Sequence, residues 1–272
     1  MRRILSLVPA ALLALACTSP PPGPDGRVDP DPYERQNRLF FAFNDGLDRA
    51  VAQPLARAWR FVTPQLLRTG LDNAFLNLRF PTRAVSCLGQ GRPGDAGRET
   101  LRFAVNTTIG VVGVYDAATS LFGLPLYDED TGQMLAAWGV GAGPFWMIPL
   151  LGPSNPRDTV GYLVDGLLNL AVLAPAYVAP VAWLNGRAIA VPTVDRAREA
   201  SLDYYVFVRD AYLQRRERQI AERGPVRRLD PDAPEEPLLP DDDLYFVEED
   251  EGGAAGAAGD ESGTGAPAAE DE

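Results

Sequence analysis

What this sequence can do chemically is set by two cysteines and two absences. It has two Cys, no His and 25 basic side chains, and every one of those is arginine. Without imidazole there is no Ser-His-Asp hydrolysis, no Cys-His nucleophile, no His-ligated zinc and no imidazole proton shuttle. Ser154 and Ser201 have no base to activate them. Cys17 closes a short export signal: Arg2 and Arg3, the uncharged run Ile4–Ala16, and a small residue directly before the thiol. This is the processing geometry of a bacterial lipoprotein. Thirteen residues are too few for a membrane span, which needs about 20. Cys17 is therefore the predicted lipidation site, and Thr18 after it, where an Asp would favour the inner membrane, favours the outer one. A plain secretory signal with a chance cysteine is the alternative. With Cys17 acylated, Cys87 is the one thiol left, so no disulfide and no Cys metal cluster can form. Beside Leu88 it reads as a small buried apolar residue. No catalytic residue, cofactor or metal is expected, and the chain is not predicted to be an enzyme.

Three further constellations carry weak signals. Gly139-Val-Gly141-Ala-Gly143 leads into Pro144-Phe145-Trp146 rather than a helix N-terminus, and no Lys is available, so it is not read as a phosphate loop. Asp128-Glu129-Asp130 lacks EF-hand spacing and reads as a solvated loop in preference to a cation site. Arg157-Asp158 after Pro156 reads as a helix start with a local ion pair.

The elements that must position these residues occupy the middle of the chain. Residues 1–16 form the signal and residues 17–32 a lipidated tether, with six prolines in positions 18–32, a composition that favours an extended spacer. Residues 229–272 carry sixteen Asp or Glu and no basic residue, so they are expected to remain a disordered acidic tail. The folded body is residues 33–228. The net charge of −12 comes from the tail; residues 1–228 alone sum to +4. No basic patch argues for nucleic acid.

Within the body, period-3.6 patterns dominate, which predicts an all-α fold. A first helix starts at Asp31-Pro32 with Asp31 as cap, and Phe40, Phe43, Leu47 and Val51 form one apolar stripe. Asn37 and Asn44 flank it, either capping a neighbouring helix or lining a polar passage. A second helix runs from Pro64 to Pro81 with Leu67, Leu71 and Leu78 on one face. A third begins near Asp95 with Leu101, Ala104, Val105 and Thr108 inward. A last one spans residues 195–222, its basic end (Arg215, Arg216, Arg218) complementing the helix dipole. Residues 103–184 hold seven charged side chains, and residues 132–156 none. Glycines and prolines break this apolar stretch, so it reads as broken helices set partly into lipid, their irregular backbone covered by protein or facing a wet cavity. An ordinary core, or one spanning helix over the uncharged residues 166–184, is the alternative. Trp138, Phe145, Trp146, Tyr177 and Trp183 are the membrane-interface candidates.

Four blocks carry a resemblance: Asp31–Arg49 (DPYERQNRLFFAFNDGLDR), Asn77–Asp116 (with LGQGRPGDAGRETLRFAVNTTIGVVGVYD), Tyr127–Asn169 (with YDEDTGQ and WGVGAGPFWMIPLLGPSNPRDTVG) and Asp203–Arg216 (DYYVFVRDAYLQRR). They are similar, in order, to the MlaA/VacJ lipoprotein family of Gram-negative outer membranes. That resemblance implies a ring-shaped helical assembly of broken and amphipathic helices in the periplasmic leaflet of the outer membrane. It implies a central amphipathic channel that takes mislocalised outer-leaflet phospholipids and passes them to a periplasmic lipid carrier. It also implies association with a trimeric porin in some members. Asn37, Phe40, Phe41, Phe43 and Asn44 are the lipid-path candidates on this reading, although Ala42 and Asp45 depart from the family's more Asn/Phe-rich versions. A wet passage lowers the cost of moving a charged headgroup past hydrocarbon, and no covalent step is needed. The alternative is a structural envelope lipoprotein that organises porin partners without moving lipid.

Overall fold

The computed structural model describes residues 29–169 and 177–222. Cys17, the signal segment, residues 17–28 of the tether, residues 170–176 and the acidic segment 229–272 lie outside the described residues. The architecture is mostly helical. In chain order come α1 (Glu34–Leu47), a π-turn (Asp48–Ala52), α2 (Gln53–Val62), α3 (Gln65–Leu78), α4 (Phe80–Gly89), α5 (Pro93–Thr108), α6 (Ala117–Phe122) and α7 (Thr131–Ala137). A two-stranded antiparallel hairpin follows, β1 (Trp146–Ile148) and β2 (Gly152–Ser154), then α8 (Pro156–Leu168), α9 (Val178–Ala200) and α10 (Tyr204–Glu222).

Proline sets much of this punctuation. Pro64 precedes α3, and Pro81, Pro93 and Pro156 each lie in the first turn of a helix, where the missing N–H costs nothing. Pro54 acts differently. The backbone stays helical from residue 34 to residue 62, and the π-turn falls just before Pro54. Widening the turn there relieves the clash a proline ring makes with the carbonyl four residues back.

The faces of these helices are reversed from a water-soluble pattern. Among the described residues, the buried polar and charged side chains include Asn37, Arg68, Asn77, Arg83, Glu99, Arg102, Asn106 and Asn185. The exposed large hydrophobics include Phe40, Phe43, Leu47, Val51, Phe61, Leu66 and Leu67. The predicted apolar stripe of α1 therefore points outward, not into a core. The same holds for Leu67 on α3 and for Leu101, Ala104 and Thr108 on α5, whose buried face is Ala96, Glu99, Arg102 and Asn106. Periodicity identified these faces correctly and assigned them the wrong side.

What is inside is held by ion pairs and amides. Arg83 and Glu99 join α4 to α5 at 2.6 Å, with both side chains almost fully buried. Arg102 forks onto Asp116 while its Nη1 donates to Thr119. Asn185 of α9 accepts from Trp59 of α2 and donates to the Arg68 carbonyl of α3. Small residues, Ala56 and Ala188, let α2 and α9 approach closely, with Val191 filling the seam. Cys87 is fully buried, as expected, and burial pushes its thiol up to about 12.

Three other expectations are corrected. Asp31 does not cap the first helix: Tyr33 holds the cap position, and the buried Asp31 carboxylate accepts from Asn37 and from the Tyr205 hydroxyl. The final helix is two helices, broken at residues 201–203, where Asp203 accepts the Tyr205 and Val206 N–H groups. Asp128-Glu129-Asp130 is not a solvated loop, because Glu129 is buried against Arg92 and Gln90 and Asp130 caps α7. Among the described residues no helix is long and apolar enough to cross a membrane.

Candidate functional site

The hairpin is the piece of irregular structure around which the site is built, and α1 holds it. Asn37 donates to the Phe145 carbonyl at 3.2 Å and accepts the Met147 N–H at 2.8 Å. Asn44 donates to the Ile148 carbonyl at 2.9 Å and accepts the Leu150 N–H at 2.7 Å. The spacing explains the fit. Two helical turns rise about 10.5 Å over seven residues, and three residues of strand advance about 10 Å. The two carboxamides thus present acceptor and donor to β1 as a neighbouring strand would. Neither Asn caps a helix. The clamp also holds Leu150 at φ +68°, a conformation that costs energy for a residue with a Cβ. Leu150 and Leu151 are exposed at the hairpin tip.

A cleft lies on each side of the hairpin, and Gly152 and Pro153 line both. The first, about 190 Å³, is walled by Phe41, Met147, Val194 and Tyr204, with Asn44, Asp45, Asp48, Arg187 and Arg198 at its polar side. Its charges are internally matched. Arg187 grips both oxygens of Asp48 at 2.7 Å, and Arg198 bridges Asp45 and Asp48 at 2.6 and 2.8 Å. Burial opposes ionisation of Asp48, but these two guanidiniums outweigh it and hold the carboxyl below its usual range.

The second cleft, about 220 Å³, lies between the hairpin, α8 and α10. Its floor exists because α7 and α8 cross at glycines. A Cβ on Gly161 would come within 2.5 Å of the Gly132 nitrogen, and one on Gly132 within 2.7 Å of both Arg216 and Asp158. This crossing brings Asp130, at the start of α7, and Asp158, at the start of α8, against Arg216 of α10. Arg216 meets Asp130 at 2.6 Å and Asp158 at 2.8 Å. Tyr212 and Asn155 supply further donors to Asp158 at 2.7 and 2.8 Å. Burial alone would raise Asp158, but Arg216 and Arg157 beside it prevail and hold it at about 2. Of the basic end of the last helix, Arg216 is thus structural and acts through these carboxylates rather than the helix dipole, whereas Arg215 and Arg218 are exposed.

Asp165 of α8 lines the same cleft and behaves oppositely. Burial pushes its carboxyl up to about 6 against the hydrogen bonds from Thr131, with Asp130 adding to the rise. The folded state therefore holds a proton there that the unfolded state has lost, and stability falls as pH rises from about 4 to about 6. Replacement by Asn keeps an acceptor for Thr131 and removes this dependence. Thermal unfolding followed from pH 4 to pH 7 is expected to show Asp165→Asn with little advantage at pH 4 and a higher midpoint than the wild type at pH 7.

The structure separates the residues predicted from sequence. Phe41 and Asn44 line the first cleft, Asn37 is buried behind the hairpin, and Phe40 and Phe43 face outward. Trp138, Tyr177 and Trp183 are exposed, and Trp146 donates to Thr159 from a half-buried position. Phe145 is not at any interface: it is 1% exposed, packed with Tyr205 and Tyr212. Arg79, Asp158, Asp165 and Arg216 went unassigned to a site, although the crossing glycines were visible in the TGQ and TVG blocks.

Residues 29–219 match the family model described as MlaA lipoprotein. The chain belongs to the MlaA lipoprotein family. It is 32% identical over 221 residues to the "Intermembrane phospholipid transport system lipoprotein MlaA" of Escherichia coli K12, covering 78% of this chain and 86% of that one. The Haemophilus influenzae protein of the same name is 29% identical over 201 residues, covering 68% and 76%. A protein of Rickettsia felis described as uncharacterized is 31% identical over 200 residues, covering 70% and 78%. A solved structure reported under "Structural basis for maintenance of bacterial outer membrane lipid asymmetry" superposes with a TM-score of 0.60 at 32% identity, covering 68% of this chain and 96% of that one. The mostly helical MlaA fold is thereby shown for this chain. The matched region contains the clamp, both clefts and the glycine crossing.

Proposed function

We propose that this MlaA-family protein removes mislocalised phospholipids from the outer leaflet of the outer membrane and passes them to a periplasmic lipid carrier, maintaining lipid asymmetry. The observation that carries the reading is the reversed burial. Large apolar side chains on α1, α2, α3, α5 and α8 face outward, while buried ion pairs and amides share the inside with two small apolar clusters. A soluble monomer rarely shows contiguous exposed apolar surface of this kind. Acyl chains in the periplasmic leaflet cover the outer faces. Trp138, Tyr177 and Trp183 fit the lipid–water boundary, where an amphipathic ring is favoured. Cys17, acylated, tethers the chain to the same membrane.

The clefts beside the hairpin supply the path. Each sets apolar walls beside ion-paired side chains, Arg187 and Arg198 with Asp48 in the first and Arg216 with Asp130 and Asp158 in the second, so a headgroup meets a polar lining there. Phe41 and Asn44 line the route; Phe40 and Phe43 meet lipid; Asn37 acts indirectly, by fixing the hairpin between the clefts. Part of the exposed apolar surface is also available to a trimeric porin, an association that the family resemblance implies for some members.

Photo-crosslinking tests this directly. A benzophenone residue in place of Phe41 is expected to capture phospholipid in intact cells, detected by mass spectrometry of the adduct. Deletion of the gene is expected to cause detergent hypersensitivity that a Cys17→Ala version rescues poorly. Crosslinks to protein alone, together with a normal lipid distribution in the deletion strain, would replace this reading with that of a structural lipoprotein.

A further inference from the structure

We infer that the cleft between the hairpin, α8 and α10 is a headgroup site for a zwitterionic phospholipid bearing a primary ammonium, with the phosphate held by Arg79 and the ammonium by Asp165. The inference rests on the lipid-transport reading and adds a preference to it. The cleft is lined by five ionisable charges: Arg79, Asp130, Asp158, Asp165 and Arg216. Three of these satisfy one another, since Arg216 bridges Asp130 and Asp158 within hydrogen-bond distance. Arg157 adds a second cation on Asp158 at 2.9 Å. That set is electrically closed.

Arg79 and Asp165 remain, and both are incompletely partnered. Arg79 reaches a carboxylate, Asp128, only at 3.7 Å, which is an ion pair without a hydrogen bond. Asp165 accepts two bonds from Thr131 on Oδ1, while Oδ2 has only a 3.4 Å contact with the Thr131 nitrogen. One cation and one anion thus face a common space with capacity to spare. A phosphodiester wants the guanidinium fork, and a primary ammonium offers three donors to a carboxylate. A choline headgroup offers no N–H donor, and a glycerol headgroup offers no cation beyond its anionic phosphate.

Size and surroundings argue for a lipid. The cavity of about 220 Å³ is below the roughly 300–1,000 Å³ of pockets that enclose a whole drug-sized ligand. It has room for a headgroup and none for acyl chains. Ile148, Leu151, Pro153 and Tyr162 complete its wall. Leu151 and Tyr162 are largely exposed and lead onto the outward Leu163 and Leu167 of α8. Chains leaving the cleft would follow that apolar surface.

Calorimetric titration of the full-length protein in detergent tests the assignment, with dihexanoyl phosphatidylethanolamine, phosphatidylglycerol and phosphatidylcholine, and with chain-free phosphoethanolamine. The ethanolamine lipid is expected to bind about tenfold tighter than the other two, the worth of one charge-assisted contact. Asp165→Asn is expected to erase that preference while leaving the glycerol lipid within about twofold. Arg79→Gln is expected to weaken ethanolamine and glycerol lipids alike, about tenfold, leaving their ratio unchanged. Because the two variants change different quantities, poor folding of one does not mimic the pattern. Equal affinities in the wild type, or a preference that survives in Asp165→Asn, would overturn the headgroup site alone. Phosphoethanolamine binding as tightly as its lipid would reassign the cleft to a free metabolite. Failure of the wild type to bind any of the three lipids would overturn the transport reading with it.

Discussion

Replacing Asn37 by alanine is expected to destabilise the protein by about 3–5 kcal/mol, because it strands at least two buried backbone groups, each costing about 1–3 kcal/mol when left unpaired. Asn37 is 2% exposed and its carboxamide is fully used: one oxygen for the Met147 N–H, one nitrogen for Asp31 and the Phe145 carbonyl. Water cannot replace it without opening the Phe145–Tyr205 cluster. Asn37→Asp is expected to be no better, since it keeps the acceptor, loses both donated bonds and sets a second carboxylate beside Asp31. Asn44→Ala removes an equivalent pair of bonds at a partly exposed place, where solvent takes over, so its cost is about 1 kcal/mol. Hydrogen exchange at the Met147 and Leu150 amides separates the cases. Asn37→Ala is expected to accelerate Met147 by a factor of 100 or more, matching at least 2.7 kcal/mol of lost protection, and Asn44→Ala to accelerate mainly Leu150. Because both clefts share the hairpin as a wall, lipid capture from position 41 is expected to fall in Asn37→Ala even at a temperature where the protein stays folded.

That one residue does this work was only half legible in the sequence. The seven-residue interval between Asn37 and Asn44 was visible, as was the need of each amide for a partner. The partner was not, because the hairpin's three-residue strands contain Gly152 and Pro153 and show no period-2 pattern. A strand that borrows its hydrogen bonds from helix side chains leaves little local signature. Helix starts were legible at Pro64 and close to Pro93, whereas Pro180 and Pro192 lie within α9 and interrupt nothing. The break at residues 201–203 was also readable, since Asp203 precedes the aromatic run as a cap should, but the continuous helical periodicity on both sides obscured it. The side of each face was not legible in α1, α3 or the start of α5, whereas the scarcity of charge in residues 103–184 pointed to outward apolar faces there. Periodicity groups residues that share a surface, and it contains no term for whether that surface meets protein or hydrocarbon. In α5 the answer lay with Glu99 and Arg102, which could be buried only because Arg83 and Asp116 arrive from elsewhere in the chain. Pairings of that kind, like Arg216 with Asp130 across 86 residues, are facts of tertiary structure.

The Arg216 pairing yields the other large effect. Arg216→Ala is expected to cost about 3–5 kcal/mol at pH 7, the range found when one partner of a buried ion pair is removed. For a domain of this size that lowers the thermal midpoint by about 6–20 °C. The loss arises less from the missing arginine than from what it leaves behind. Asp130 and Asp158 are both partly buried, and their ionised forms are favoured in the folded state by Arg216. In the wild type, Asp158 has a folded pKa of about 2, below its unfolded value of 3.8. Its contribution is therefore complete above about pH 4 and lost as pH falls toward 2. Without Arg216, burial dominates at Asp130, whose folded pKa moves above the unfolded one, while Asp158 keeps Arg157 and is depressed less, so the stability that the wild type holds above pH 4 is lost. The two proteins are then expected to converge only below about pH 2, where Asp158 is protonated in both, and to diverge steadily toward pH 7. A double-mutant cycle tests the cause. Asp130→Asn in the Arg216→Ala background removes one of the stranded charges, so it is expected to recover part of the lost midpoint at pH 7, whereas the same change in the wild type destabilises. A divergence that ignores pH, or additive effects in the cycle, would mean that Arg216 acts through packing of its aliphatic stem across the α7–α8 crossing and not through its charge.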